Sequence, residues 1–144
     1  MAVVRIALAT VALAPAALQG CRVCHLMLVW SEVRVELESD DWPPGLYEIE
    51  ASGHGQVAMC VITLPSSPDD PVSCTGAATL ELDDAGTRID TFHARDFDPS
   101  SFVVAVLRDG ELVAEEHFVP DYQVSEPNGP GCGETSTATL AMSW

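Results

Sequence analysis

From residue 26 onward, apolar and polar residues alternate along the chain with a period of two. In the clearest segment, Val33, Val35 and Leu37 alternate with charged residues, which predicts a half-buried β-strand with a charged outer face. The same pattern, interrupted by turn residues, predicts strands over residues 26–38, 47–51, 56–64, 72–75, 79–83, 87–93, 101–108, 111–119 and 135–142. No segment in this part of the chain has a convincing helical period, so an all-β domain is expected.

The residues between these segments are typical of tight turns and short loops. Asp109-Gly110 is the strongest hairpin signal, because Asp-Gly supports the positive φ of a type I′ turn. Residues 84–86 form a second short hairpin connection, and residues 125–133, with two prolines and three glycines, are predicted to be a loop. Short strands with regularly spaced turns predict an immunoglobulin-like antiparallel β-sandwich of about eight strands. We expect it to form a single domain over residues 21–144.

The first twenty residues form a different kind of segment. One charge, Arg5, precedes an apolar run over residues 6–17, which is shorter than the ~20 residues needed to span a bilayer. A basic start before a short apolar core is the pattern of a secretory signal peptide. Leu18-Gln19-Gly20-Cys21 also matches the lipobox of bacterial lipoproteins, in which the cysteine thiol receives a diacylglycerol. Residues 1–20 are therefore predicted to be a lipoprotein signal peptide, with cleavage after Ala16 and plain secretion as the alternative.

A lipid on Cys21 predicts where the protein is found. Two acyl chains give stable anchoring, because each buried methylene contributes about 0.8 kcal/mol. In bacterial lipoproteins an Asp after the lipidated cysteine favours retention in the inner membrane, whereas this chain has Arg22. We therefore expect an exported protein of the bacterial cell envelope, held in the outer membrane by its lipid and facing the periplasm or the cell surface.

The chain has five cysteines, an odd number that needs an explanation in an exported protein. If Cys21 carries lipid, the other four can close two disulfides in an oxidising compartment. Cys60–Cys74 would join two predicted strands through a short loop, and Cys24–Cys132 would tie the start of the domain to its last loop. We favour these two pairs, and the sequence leaves the other two connectivities open.

Residues 21–25 also read C-x-x-C-H, the attachment motif of c-type haem. In that interpretation Cys21 and Cys24 bond the haem, His25 is the proximal ligand, and Met27 or Met59 lies opposite. However, lipid and haem would compete for the Cys21 thiol, and haem would leave an odd number of cysteines. The motif also runs directly into a predicted strand instead of the usual helix. We expect no cofactor, and a monohaem c-type electron carrier is the alternative.

The charge excludes some partners. The chain has 22 acidic and 6 basic residues, a formal net charge of −16. Nucleic acid and anionic membrane surfaces repel such a chain, so neither is an expected unassisted partner. Since 47% of the residues are apolar, the chain is also not an acidic disordered segment.

Catalytic signals are missing from the sequence. It contains no nucleophile elbow, zinc-protease, phosphate-loop or dinucleotide-binding pattern, and we do not expect an enzyme. His93 and His117 lie on predicted strands and could meet across a sheet. They would then supply two ligands of a metal site, with Glu115 or Asp90 as a further ligand. The alternative, which we favour because the usual ligand spacing is absent, is that both are ordinary strand-surface histidines.

Two further features of the sequence are candidate binding sites. Calcium binds oxygen ligands from loops at one end of some sandwiches, and four acidic loop clusters are candidates: Asp40-Asp41, Asp69-Asp70, Asp83-Asp84, and Asp96 with Asp98. The chain lacks EF-hand spacing, and acidic loops are usually only solvated. Trp30, Trp42 and Trp144 could form a platform for a sugar, although a Trp in a Pro-rich corner such as Trp42 more often plugs the end of a sandwich.

Several short motifs accompany the lipobox: Trp42-Pro43-Pro44-Gly45-Leu46-Tyr47, Cys60 with Leu64-Pro65 and Cys74, Arg108-Asp109-Gly110-Glu111, Pro120-Asp121-Tyr122, and Pro127-Asn128-Gly129-Pro130-Gly131-Cys132-Gly133. Together they resemble the small uncharacterised predicted lipoproteins of myxobacterial type. The resemblance implies a location and a fold but no activity. Members often carry a further cysteine shortly after Cys132, where this chain has Glu134-Thr135-Ser136, and this departure implies Cys24 as the partner of Cys132.

These observations lead to one expected function and two alternatives. We expect a non-enzymatic, lipid-anchored protein of the cell envelope, with a structural or binding role. It would contact the membrane through Cys21, and its other partner would be an unknown protein or glycan. The alternatives are the haem carrier and a calcium-dependent adhesion or binding module.

Overall fold

A computed structural model describes residues 29–67 and 69–144, and these residues form strands, turns and loops without a helix. The strands are β1 (Glu32–Glu38), β2 (Gly45–Gly53), β3 (Gln56–Leu64), β4 (Ser73–Thr75), β5 (Ala77–Leu82), β6 (Ile89–Arg95), β7 (Phe102–Arg108), β8 (Glu111–Phe118), β9 (Gln123–Ser125) and β10 (Thr135–Ser143). Within the described ranges no helix is long and apolar enough to cross a membrane.

The strands form two five-stranded sheets that pack face to face. Sheet I has the order β5-β6-β1-β10-β9, and sheet II has the order β4-β3-β2-β7-β8. The predicted all-β sandwich is confirmed, with ten strands in the described part of the chain instead of about eight. Nine of the ten overlap the nine predicted ranges, and the tenth, β9, has three residues and was not predicted.

The predicted antiparallel arrangement needs one correction. All neighbouring strands are antiparallel except β1 and β10, which pair in parallel with Val33 opposite Ala138 and Leu37 opposite Met142. Parallel neighbours need a long connection instead of a tight turn. Here the rest of the sandwich separates the two strands in the chain.

The strand order is that of an immunoglobulin-like sandwich. Strands β1, β6 and β5 occupy the positions of B, E and D in one sheet, and β8-β7-β2-β3-β4 follow the order G-F-C-C′-C″ in the other. Beside β1, where strand A of an immunoglobulin domain lies, the chain places β10. The last long strand therefore completes sheet I next to the first.

The core lies between the sheets and follows the predicted alternation. Val33 and Val35 have no exposed surface, and Leu37 is 4% exposed. The largest buried side chains of this core include Tyr47, Phe92 and Phe102. Burying these aliphatic and aromatic groups supplies the main favourable free energy of folding.

Two tight turns and a disulfide connect neighbouring strands. Asp109 and Gly110 have φ angles of 53° and 82°, which confirms the predicted type I′ hairpin turn. His54 and Gly55, between β2 and β3, repeat this geometry with φ angles of 48° and 80°. The predicted Cys60–Cys74 disulfide is confirmed and joins β3 to β4.

The second predicted disulfide is described at one end only. Cys132 is disulfide-bonded. Its predicted partner, Cys24, lies outside the described residues, as do the signal peptide, Cys21 and His25. The predictions for these positions stay predictions.

Candidate functional site

The outward surfaces of the two sheets differ in chemistry. The charged face is the outer surface of sheet I, and its side chains are Glu32, Arg34, Glu36, Glu38, Thr79, Glu81, Thr91, His93, Arg95, Thr135, Thr137, Thr139, Ala141 and Ser143. The aliphatic face is the outer surface of sheet II, and its side chains are Leu46, Glu48, Glu50, Ser52, Val57, Met59, Val61, Thr63, Val103, Ala105, Leu107, Leu112, Glu115 and His117. An open patch of aliphatic side chains on a folded protein is a candidate binding surface.

The aliphatic face is organised in columns along its strands. The outward residues of β3 are Val57, Met59 and Val61, and those of β7 are Val103, Ala105 and Leu107. Between them, the outward residues of β2 include Glu48 and Glu50. Glu48 lies opposite Val61 on one side and Leu107 on the other, and Glu50 lies opposite Met59 and Ala105. Each of these carboxylates is therefore flanked by aliphatic side chains.

Several aliphatic side chains on this face are open to solvent. Val57 is 57% exposed, Leu112 is 59% exposed and Leu46 is 40% exposed. Single exposed aliphatic residues are common on protein surfaces, whereas a contiguous group on one sheet face is not. On this face Val57 continues along β3 into the partly exposed Met59 and Val61, which forms such a group.

The carboxylates of the aliphatic face, those of Glu48, Glu50 and Glu115, make no salt bridge with the described residues. Arg34 and Arg95 lie on the charged face of sheet I. The other two arginines in these ranges are Arg88, which pairs with Asp90, and Arg108, which lies opposite Tyr47 at the end of β7. The face thus combines aliphatic surface with unpaired negative charge.

His93 is a largely enclosed titratable side chain of the charged face. Its ring is 12% exposed and lies between two carboxylates from neighbouring strands, with Nδ1 2.5 Å from Glu32 Oε1 and Nε2 3.1 Å from Glu81 Oε1. Nε2 is close to Glu81 but lacks the alignment of a hydrogen bond, so the Glu32 contact is the one that orients the ring. A protonated imidazole here would make ion pairs with both carboxylates.

The structure does not bring His93 and His117 together. His93 is on β6 in sheet I and His117 is on β8 in sheet II, and both point outward from opposite sides of the sandwich. Residues 29–67 and 69–144 contain no group of three or more His, Cys, Asp or Glu side chains that could hold a metal ion. Glu115 and Asp90 are likewise in different sheets.

The tryptophans do not form one platform. Trp42 contacts Tyr47 and Trp144 at ring-centroid distances of 5.2 and 5.1 Å, and it packs against the core. Trp30 lies at the other end of the sandwich, with its ring 5.4 Å from the Arg95 guanidinium carbon. The interpretation of Trp42 as a plug of the sandwich end therefore fits its packing.

An open groove lies beside Trp144 on the charged face, at the end of the sandwich that Trp42 plugs. It has a volume of about 660 Å³, and its polar lining includes Glu36, Glu38, Asp40, Arg88 and Asp90. The Arg88 guanidinium donates a hydrogen bond to Asp90 at 2.7 Å, so the only basic group of the lining is already paired. The lining is acidic, which favours cations over anionic ligands.

The acidic loops are divided between the two ends of the sandwich. Asp40-Asp41, Asp69-Asp70 and Asp83-Asp84 lie in loops at the Trp42 end, whereas Asp96 and Asp98 lie at the opposite end. Asp83 is used locally, because its carboxylate accepts hydrogen bonds from Thr87 N, Thr87 Oγ1 and Arg88 N at 2.7, 2.8 and 3.0 Å. Desolvation alone would raise the pKa of Asp83, but these hydrogen bonds together lower it below its usual value.

The aliphatic face was not predicted, although the sequence contains a signal for it. In β3 and β7 the residues that point to either face of the strand are largely apolar, whereas in β1 only the residues that point to one face are apolar. Such strands are normally covered on both faces. In sheet II the second face is open.

No family model matches the chain, and neither a curated protein nor a solved structure matches it.

Proposed function

We propose that this protein is a non-enzymatic, lipid-anchored component of the bacterial cell envelope, and that its β-sandwich serves as a binding module. The observation that carries the binding role is the contrast between the charged face and the aliphatic face. A contiguous group of aliphatic side chains on one open sheet face is a feature of binding surfaces, and it supports a binding role here. The partner is a protein or a glycan, and the acidic surface disfavours nucleic acid.

Two further observations support export. The Cys60–Cys74 disulfide is of the kind that persists in oxidising compartments, which include the bacterial periplasm and cell surface. The signal-peptide pattern of residues 1–20 independently predicts the same route. The proposed location is the outer membrane, facing the periplasm or the cell surface.

The cysteines favour lipid over haem at Cys21. Haem attachment would use the thiols of Cys21 and Cys24. With Cys60 and Cys74 bonded to each other, Cys132 would then have no cysteine to bond within the chain, yet it is disulfide-bonded. Lipid on Cys21 leaves an even number of cysteines for two disulfides.

Labelling with a radioactive fatty acid tests the anchor. The full chain is expressed in a lipoprotein-processing bacterium, beside the variants Cys21→Ser and Cys24→Ser. We expect label in the unaltered protein and in Cys24→Ser, and none in Cys21→Ser. Undiminished label in Cys21→Ser would sink the proposal, and a Soret absorbance band in the purified protein would support the haem carrier instead.

A further inference from the structure

We propose that the aliphatic face binds a protein segment that is both apolar and basic. The inference rests on the proposed function, since it names the partner of the binding module. The columns of side chains on β3, β2 and β7 and the charges between them support it.

The aliphatic columns require an apolar partner. Neighbouring strands lie about 4.8 Å apart, so the β3 and β7 columns lie about 10 Å apart with the β2 column midway. A segment that covers Met59 and Ala105 also covers Glu50, which lies between them. The same holds for Val61, Glu48 and Leu107. Contact with the aliphatic columns therefore removes the β2 carboxylates from water.

The β2 carboxylates require a basic partner. Burying an ionised carboxylate without a counter-charge is costly, and no described residue supplies one to Glu48, Glu50 or Glu115. A segment with Lys or Arg between apolar residues provides both contacts at once. The partner is thus defined by apolar side chains on either side of a cation.

The same charges argue against two other occupants. A second copy of this chain would bring its own Glu48, Glu50 and Glu115 against the first set, and the chain carries a net charge of −16. An anionic lipid surface would be repelled in the same way. Both occupants are outcomes of the experiment below.

The test uses the mature protein, obtained by export of the full chain, and two synthetic peptides of equal length. One alternates leucine with lysine and the other alternates leucine with glutamate. Binding is measured by fluorescence anisotropy in physiological salt, and the contact surface is mapped by amide chemical shifts. We expect the leucine–lysine peptide to bind and to shift the amides of Met59, Glu50 and Ala105, and the leucine–glutamate peptide not to bind.

Matched variants separate this site from general attraction to an acidic protein. Glu48→Gln with Glu50→Gln removes two charges from the aliphatic face, and Glu36→Gln with Glu38→Gln removes two from the charged face. We expect the first pair to weaken binding by about tenfold or more and the second by less than about twofold. Val57→Ser is expected to weaken binding, whereas Val124→Ser, at an equally exposed valine on β9, is not.

Three results would overturn the proposal. Equal weakening by the two glutamate pairs would mean non-specific attraction. Dimers that Val57→Asp dissociates would assign the face to a second copy. Binding to vesicles of phosphatidylethanolamine and phosphatidylglycerol that Val57→Asp abolishes in the unlipidated Cys21→Ser protein would assign it to the membrane. Fatty-acid labelling of Cys21 is independent of all three, so the anchor and the docking surface can fail separately.

Discussion

Val35 in β1 and Leu140 in β10 lie side by side in a parallel register, so the first and last long strands of the described sandwich are neighbours. Both side chains face the space between the sheets, with Val35 fully buried and Leu140 packed against the core. Residues near the C-terminus thus complete the middle of sheet I. Strand β10 therefore contributes to the core through Leu140 and Met142.

The first prediction concerns Met142, which lies beside Leu37 and is 1% exposed. Met142→Ala leaves a cavity in the core, and we expect it to lower the free energy of unfolding by about 2–5 kcal/mol. Ser143→Ala, at the next and exposed position, is expected to change it by less than about 0.5 kcal/mol. Urea unfolding measures both. Equal stability of the two variants would contradict the contribution of β10 to the core.

The second prediction concerns the Cys60–Cys74 disulfide, which closes a loop with a sequence separation of 14. Cys60→Ala with Cys74→Ala frees the unfolded chain from this cross-link, and we expect a loss of about 3 kcal/mol in the free energy of unfolding. Val72→Ala, an exposed change within the same loop, serves as the control. An unchanged urea midpoint in the double variant would show that the cross-link contributes no stability.

The third prediction concerns stability in acid. The pKa of Asp83 is lowered because the hydrogen bonds from Thr87 and Arg88 outweigh desolvation, while an unfolded Asp titrates near 3.8. The contribution of this carboxylate is therefore present above pH 3.8 and is lost as the pH falls through the lower folded pKa. Asp83→Asn is expected to reduce Tm at neutral pH, with the difference shrinking in acid. Asp84→Asn is the control, and a difference that stays constant with pH would contradict the assignment.

The fourth prediction concerns stability in alkali. Burial, with a smaller effect of Asp98, raises the pKa of Tyr122 from 10.0 to about 12, and its hydroxyl donates a hydrogen bond to the Pro99 carbonyl at 3.0 Å. The folded state holds this proton more tightly than the unfolded chain. Stability from this group is therefore complete below pH 10 and falls as the pH rises towards about 12.

Tyr122→Phe tests the alkaline dependence. It removes the hydrogen bond, so we expect a loss of about 1 kcal/mol at neutral pH and a shallower fall of stability between pH 10 and about 12. Burial also raises the pKa of Tyr47, so part of the alkaline fall should remain. A fall as steep in Tyr122→Phe as in the unaltered protein, measured by urea unfolding, would count against the assignment.

Local patterns predicted the long strands because each alternates or ends at a turn residue. They did not predict β9, whose three residues acquire strand geometry only by pairing with Thr135–Thr137 in β10. They also did not predict the parallel pairing of β1 and β10, which depends on the path of the whole chain. Nor did they place His93 and His117 in their separate sheets, because a strand pattern does not state which sheet the strand joins.

The aliphatic face also could not be predicted from local sequence patterns. The apolar residues of β3 and β7 were visible in the sequence, but apolar residues on both faces of a strand normally indicate that both faces are buried. Only the arrangement of sheet II shows that Val57 and Met59 point away from the core. The intervening position of Glu48 and Glu50 likewise follows from the pairing of β2 with β3 and β7.

The intact mass of the mature protein, measured before and after reduction, tests the central claim most directly. We predict a chain that begins at Cys21, carries lipid on that residue, and gains four hydrogens when two disulfides are reduced. A chain that begins after Ala16 with no added lipid, or one with the added mass of a haem, would contradict the account of a lipid-anchored envelope protein.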